Sequence, residues 1–177
     1  MALPSIQTLK QLPQSDQKYI LDQLFEPCDT LSNFIFIKVF PQQFTTYLEF
    51  INLVRKELIN LLKENELNPI INEIISTHPR LGEPKKEQLS IHSSNEQKNL
   101  NSDPDIILKL KEMNELYENK FPGLRYVVFV NGRNRLEIIN DMNKRIKRDD
   151  ILLEKYEAFN AMCDIALDRV NKLGIKL

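Results

Sequence analysis

The chain has 177 residues, of which 42% are apolar and 28% charged, and its formal net charge is −1. These values are typical of one globular domain with a sizeable core, so residues 1–177 are interpreted as a single domain. The charge gives no electrostatic basis for binding nucleic acid or an anionic membrane, and no apolar run is long enough to cross a bilayer. No secretory signal is visible, and Cys28 and Cys163 form no metal-ligand set, which predicts free thiols in an intracellular protein.

Long apolar patterns at helical spacing, together with only four glycines, predict an all-α fold. Helices are expected in the first half of the chain over residues 5–12, 15–26 with Ser15 as N-cap, 34–40, 46–63 and 67–77. Periodicity alone leaves residues 34–40 open as a buried helix or a strand, and we favour a short helix.

The second half of the chain is also predicted to be mainly helical, with one exception. Helices are expected from about Ser93, over residues 105–120 with Asp103 as N-cap and Pro104 in the first position, and over 134–148 and 151–173. Residues 126–130, Tyr-Val-Val-Phe-Val, are strand-like but have no partner strand. We therefore predict an extended segment whose backbone N–H groups face either the bundle or a ligand.

The stretch from His78 to Gln97 contains the most informative pattern. Pro79 disfavours a helical conformation for the residue before it, which places His78 just after a helix end. Ser93 and Glu96 have the spacing of a capping box at the start of the next helix. Taken separately, the histidine is typical of a helix cap or a half-buried core residue, and the Ser-x-x-Glu pair is typical of an ordinary helix start.

Taken together, the pattern resembles the OHCU decarboxylases, which act on 2-oxo-4-hydroxy-4-carboxy-5-ureidoimidazoline in urate breakdown. The resemblance covers about a hundred residues. Its motifs are His78-Pro79-x-Leu81-Gly82, Ser93-x-x-Glu96-Gln97, Asn114-x-x-Tyr117-x-x-Lys120-Phe121, and the spacing of Arg145, Glu154, Ala158, Ile165 and Arg169. It implies the all-α, single-domain fold of that family, a carboxy-lyase activity that produces (S)-allantoin, and a homodimer.

The resemblance also implies a site. His78 would be the acid–base group, because its usual pKa suits proton transfer near neutrality, and Glu96 would orient it and favour its protonated form. Arg169 would hold a carboxylate or ureido oxygen of a small anionic substrate with its planar fork. The remaining substrate contacts are expected from Pro79, Ser93, Gln97 and the backbone amides of Tyr126, Val127 and Val128.

No cofactor or metal is expected. Decarboxylation needs a place for the electrons of the broken bond, and the ring C=N of this substrate can accept them without a cofactor. The sequence has no glycine-rich phosphate loop, and its two histidines lack the clustered ligands of a metal site.

Two departures from the family pattern lie next to the expected pocket and leave alternatives open. Arg80 stands where many members have an acidic residue, and Phe121-Pro122-Gly123-Leu124-Arg125 replaces the usual Phe-Gly-aromatic turn. Arg125 and Arg133 are interpreted as solvated residues that could add anion contacts. The alternatives are an enzyme acting on a related ureido or imidazoline acid and a catalytically silent helical interaction module. The location is predicted to be cytoplasmic; the C-terminal Ile-Lys-Leu, close to a peroxisomal Ser-Lys-Leu, leaves the peroxisome as the second alternative.

Overall fold

The computed structural model describes residues 3–82 and 103–175, which consist of α-helices joined by turns and one extended segment. The helices in these ranges are α1 Ile6–Gln11, α2 Gln14–Phe25, α3 Asp29–Lys38, α4 Tyr47–Glu64, α5 Pro69–Ser76, α6 Pro104–Lys120, α7 Arg135–Arg148 and α8 Ile151–Lys172. Neither range contains a β-strand, and the predicted all-α fold is confirmed. None of these helices is long and apolar enough to span a membrane.

Several helices begin where their sequence chemistry indicates. Asp103 caps α6 by accepting a hydrogen bond from a backbone N–H of the first turn, and Pro104 occupies the first helical position. Asn134 and Glu137 form a reciprocal capping box at the start of α7. The capping box at Asn134 fixes the end of the connection between α6 and α7, which forms one wall of a cavity.

The predicted N-cap of α2 is wrong. Helix α2 begins at Gln14, and Ser15 lies inside its first turn. The extended Pro13 precedes the helix, and its carbonyl accepts hydrogen bonds from the N–H groups of Asp16 at 2.9 Å and Gln17 at 3.0 Å. Proline thus ends α1 and supplies the first acceptor of α2, so no side-chain cap is needed at Ser15.

The predicted helix over residues 34–40 is a helix, but its boundaries differ. Helix α3 starts at Asp29, because the Sγ atom of Cys28 accepts a hydrogen bond from the N–H of Leu31 at 3.4 Å and caps the helix. Cysteine is outside the usual set of N-cap residues, which explains why the sequence did not reveal this start. Cys28 and Cys163 are both free and buried, as predicted.

The core is organised around α8, which packs most extensively against α4 and then against α2. Along α8, Phe159, Met162, Ala166 and Val170 share the buried face at helical spacing. Each large apolar side chain buried in this way contributes about 1.5–3 kcal/mol to folding, so this contact fixes the relative position of the helices. As a consequence, Arg169 near the end of α8 lies beside the C-terminal end of α2.

Helices α6 and α7 are joined by a tight turn and then by the extended segment. In the turn, Gly123 has φ +85°, and a Cβ atom at this position would come within 2.8 Å of the Asn72 side chain. The positive φ therefore favours glycine, and any larger residue would also have to displace the Asn72 amide group. Residues 124–130, referred to below as the extended segment, belong to no helix and have no partner strand in the described part of the chain, as predicted.

Candidate active site

A cavity of about 710 Å³ lies between the end of α5, the extended segment, the start of α7 and the last turns of α8. It is lined by every predicted site residue that the structure describes: His78, Pro79, Tyr126, Val127, Val128 and Arg169. The structure thus brings together groups from three distant parts of the sequence. Ser93, Glu96 and Gln97 belong to residues 83–102, outside the described residues, so their placement and the helix start at Ser93 stay predictions.

His78 lies at the end of α5, where the sequence placed it. The helix ends at Ser76, and the N–H of His78 donates to the carbonyl of Ile75 at 3.3 Å in a last tight turn. The side chain is buried, and its Nε2 atom has no hydrogen-bond partner among the described residues. Buried polar atoms normally have a partner, so this nitrogen is suited to a ligand in the cavity.

The environment of His78 favours the neutral imidazole. Burial lowers the pKa of His78 from 6.5 to about 4; the charges of Arg169 and Arg125 add to this decrease, and Glu26 opposes it. Burial thus outweighs the effect of Glu26, and the predicted effect of Glu96 lies outside the described residues and stays a prediction. At neutral pH the ring is therefore uncharged and able to accept a proton.

Arg169 is held by the end of α2. Its Nη2 atom donates to Oε1 of Glu26 at 2.7 Å, and its Nη1 atom donates to the carbonyl of Leu24 at 3.2 Å. The side chains of Arg169 and Glu26 are 1% and 2% exposed, so this ion pair is almost fully removed from water. Because carbonyls at a helix C-terminus lack intrahelical partners, Arg169 also caps α2.

Glu26 adopts a backbone conformation that few residues other than glycine adopt, with φ 80° and ψ 152°. Pro27 restricts the preceding residue to an extended ψ, but it does not account for the positive φ. Such a conformation costs about 1–3 kcal/mol and persists where surrounding contacts determine it. Here the contacts include the buried ion pair with Arg169.

Two arginines bind carbonyls of the extended segment, which lines the cavity. Arg145 Nη1 donates to the carbonyl of Val127 at 3.1 Å, and Arg133 Nη2 donates to the carbonyl of Phe129 at 2.6 Å. Among the described residues, the N–H groups from Tyr126 to Val130 have no acceptor. An N–H group without a protein acceptor at the cavity wall is suited to bind a carbonyl or carboxylate oxygen of a ligand.

A buried polar network fixes Arg145 behind this wall. Oε2 of the fully buried Glu154 accepts hydrogen bonds from Arg145 Nε at 2.8 Å and from the Tyr117 hydroxyl at 2.6 Å. The guanidinium also lies over the Tyr126 ring, 4.6 Å from its centroid. The Tyr126 hydroxyl bonds to Asp141, so Tyr126 contributes its backbone rather than its hydroxyl to the cavity.

The two departures from the family pattern have structural explanations. Arg80 pairs with Glu118 of α6, with Nε and Oε1 2.7 Å apart, so this acidic side chain balances its charge. Arg125 Nη1 donates to the carbonyl of His78 at 3.0 Å. Arg125 and Arg133 were interpreted as solvated residues, and this is wrong, because both are partly buried and hold main-chain carbonyls at the cavity wall.

Sequence reasoning missed the supporting residues of the site. Glu26 precedes a proline and belongs to no motif, and only its position at a helix end next to Pro27 singles it out. The roles of Arg125, Arg133 and Arg145 depend on contacts with backbone carbonyls, which have no sequence signature. No three His, Cys, Asp or Glu side chains of residues 3–82 and 103–175 lie close enough together to hold a metal ion.

Comparison with known proteins agrees with this architecture. The chain superposes on a crystal structure of (S)-allantoin synthase with a TM-score of 0.63 and 11% sequence identity, over 96% of this chain and 54% of that one. At this identity the likeness shows the fold, and the chain spans about half the length of that protein. No curated protein matches the chain.

The fold is therefore of the OHCU decarboxylase type. Decarboxylases are carbon–carbon lyases. A family model described as OHCU decarboxylase matches residues 10–171, and the chain belongs to that family. The resemblance inferred from the sequence is thereby confirmed.

Proposed function

We propose that this protein removes the carboxyl group of 2-oxo-4-hydroxy-4-carboxy-5-ureidoimidazoline and yields (S)-allantoin in urate degradation. One observation carries the proposal. In a member of this family, His78 and Arg169 line a single cavity together with a segment whose backbone N–H groups have no acceptor among the described residues. A neutral base, a cation and oriented N–H donors are the groups that a small carboxylated imidazoline requires.

The reaction can proceed with protein side chains alone. The bond from the ring carbon to the carboxylate breaks, carbon dioxide leaves, and the electron pair moves toward the adjacent C=N, whose nitrogen takes a proton. The hydroxyl then loses its proton as the carbonyl forms, and the neighbouring ring carbon gains one. The net change is loss of carbon dioxide and uptake of one proton, which balances the negative charge of the carboxylate.

His78 is the proposed carrier of these protons. Its neutral ring can accept the hydroxyl proton, and a substrate anion bound beside it raises its pKa, so proton transfer is coupled to substrate binding. Arg169 would bind the carboxylate or ureido oxygen, and the amides of Tyr126, Val127 and Val128 would bind ring carbonyl oxygens. Glu96 remains the proposed orienting group for the imidazole or a substrate N–H.

The test uses freshly generated urate-oxidation intermediate. Ultraviolet absorbance should fall faster with the protein than without it, and circular dichroism should show one enantiomer of allantoin rather than the racemic spontaneous product. His78→Asn should lower kcat by about 10²- to 10⁴-fold while the melting temperature stays near the wild-type value. Glu96→Gln should have a smaller effect, because it removes the charge but keeps most hydrogen bonding.

Other outcomes identify the alternatives. Turnover of a related ureido or imidazoline acid, but not of this intermediate, would point to a different substrate. Wild-type rates in the His78, Glu96 and Arg169 variants would refute the assigned site, and no turnover of any such acid would favour the interaction module. The homodimer also remains a proposal, which analytical ultracentrifugation measures directly.

A further inference from the structure

Glu26 is a buried acidic residue that belongs to none of the sequence motifs. It contacts Arg169, and Arg169 lines the cavity. Its carboxylate is 2.7 Å from Nη2 of Arg169, which lines the cavity together with His78. The same guanidinium is bound on its Nη1 side by the carbonyls of Leu24 at 3.2 Å and Gln23 at 3.5 Å. These contacts come from one short stretch at the end of α2.

An arginine side chain has many rotamers, and fixing one of them requires contacts at the guanidinium. Glu26 and the end of α2 supply such contacts on the side of Arg169 opposite its own helix. The guanidinium has five N–H donors, so a group held in this way can also bind an anion in the cavity. The strained backbone of Glu26 indicates that its carboxylate is held in place by the surrounding structure.

We propose that Glu26 is a positioning residue of the site, which holds the Arg169 guanidinium against the end of α2 in the orientation that binds the substrate anion. The proposal rests on the proposed function, in which Arg169 contacts the substrate. Glu26 acts on the substrate through Arg169 and does not itself carry a proton in the reaction.

The charges around His78 give this arrangement a second, independent signature. Among the described residues, three charged groups from three parts of the fold act on the imidazole: Glu26 after α2, Arg125 from the extended segment and Arg169 from α8. Without the Glu26 carboxylate, the two remaining cations disfavour protonation of the ring, and the pKa of His78 should decrease. Without the Arg169 charge, it should increase.

The first experiment compares Glu26→Ala and Glu26→Gln in steady-state kinetics. Glu26→Ala should raise KM by about 10- to 100-fold, the range that one hydrogen bond to a charged group is worth, with kcat changed less than about threefold. Glu26→Gln keeps an acceptor for Nη2 and should restore part of the affinity. In an Arg169→Gln background, Glu26→Gln should change KM by less than about twofold, because its partner is already lost. Equal effects in both backgrounds, or an unchanged KM, would overturn the proposal.

The second experiment needs no catalytic activity, so it separates failure of this proposal from failure of the proposed function. Nuclear magnetic resonance follows the His78 ring signal during a pH titration, with His92→Gln used for assignment. The midpoint should move to lower pH in Glu26→Gln and to higher pH in Arg169→Gln. If Arg169→Gln does not fold, the double variant Glu26→Gln/Arg169→Gln should titrate at higher pH than Glu26→Gln, because the Arg169 charge is removed. If Glu26→Gln does not fold, the double variant should titrate at lower pH than Arg169→Gln, because the Glu26 charge is removed. Midpoints that stay at the wild-type value would refute the inference.

Discussion

Acidification should destabilise the fold through His78. The folded protein holds this ring neutral down to a pKa of about 4, whereas its ordinary value is 6.5. Between pH 6.5 and about 4, His78 is protonated in the unfolded chain but stays neutral in the folded chain. The contribution of His78 to the free energy of unfolding is therefore fully present above pH 6.5 and decreases as the pH falls toward 4. Each tenfold difference in proton affinity is worth about 1.4 kcal/mol. The difference between the ordinary pKa of 6.5 and the folded-state pKa of about 4 therefore lowers the free energy of unfolding by about 3 kcal/mol.

This decrease is large compared with a total stability of about 5–15 kcal/mol for a typical domain. Urea denaturation at intervals between pH 7 and 4 measures it, and His78→Asn should have a flatter pH dependence than the wild type by about 3 kcal/mol. His92→Gln is the matched control and should keep the wild-type dependence. If the wild type and His78→Asn lose stability in parallel, the buried neutral imidazole is not the cause and the reasoning is refuted.

Further expectations follow from individual contacts. Arg169→Lys should raise KM by about tenfold or more with a smaller change in kcat, because the charge remains but the fork is lost; steady-state kinetics measure both. Tyr117→Phe should reduce the free energy of unfolding by about 1–3 kcal/mol in urea, because its hydroxyl donates to buried Glu154 at 2.6 Å. Arg133→Ala should raise KM more than Arg135→Ala does, since both remove one charge at the cavity but only Arg133 binds the carbonyls of the extended segment. Treatment with EDTA should leave the decarboxylation rate unchanged, and a loss restored by a divalent ion would contradict the cofactor-free proposal.

The sequence predicted those parts of the structure that depend on local patterns. Pro79 predicted a helix end at His78, and Asp103 with Pro104 predicted the start of α6. Both predictions were possible because these effects act within one turn of the chain. The strand-like run before Asn131 was correctly predicted to be unpaired, since residues 3–82 and 103–175 contain no strand that could pair with it. The family motifs identified Arg169 as a site residue. Its position near the end of a helix would not have done so.

The parts that escaped prediction depend on contacts between distant residues. Arg169 meets Glu26 across more than a hundred residues of sequence, and neither the burial of Glu26 nor its positive φ has a local signal. Arg125 and Arg133 resemble surface residues by type, and their function becomes visible only when the carbonyl of His78 and those of the extended segment lie beside them. These roles are determined by tertiary packing and not by the local sequence.

The unpaired segment Tyr126-Val127-Val128-Phe129-Val130 also has a consequence for handling the protein. It is a run of aromatic and β-branched residues with no charge, proline or glycine, the composition that favours cross-β aggregation once it is exposed. In the folded chain the segment is buried or half-buried, and the charged side chains of Arg125 and Arg133 flank it as gatekeepers. Local opening of the cavity wall would offer these free amides to a second molecule as a template. A ligand that fills the cavity should therefore slow aggregation during storage and refolding, because it binds the closed state.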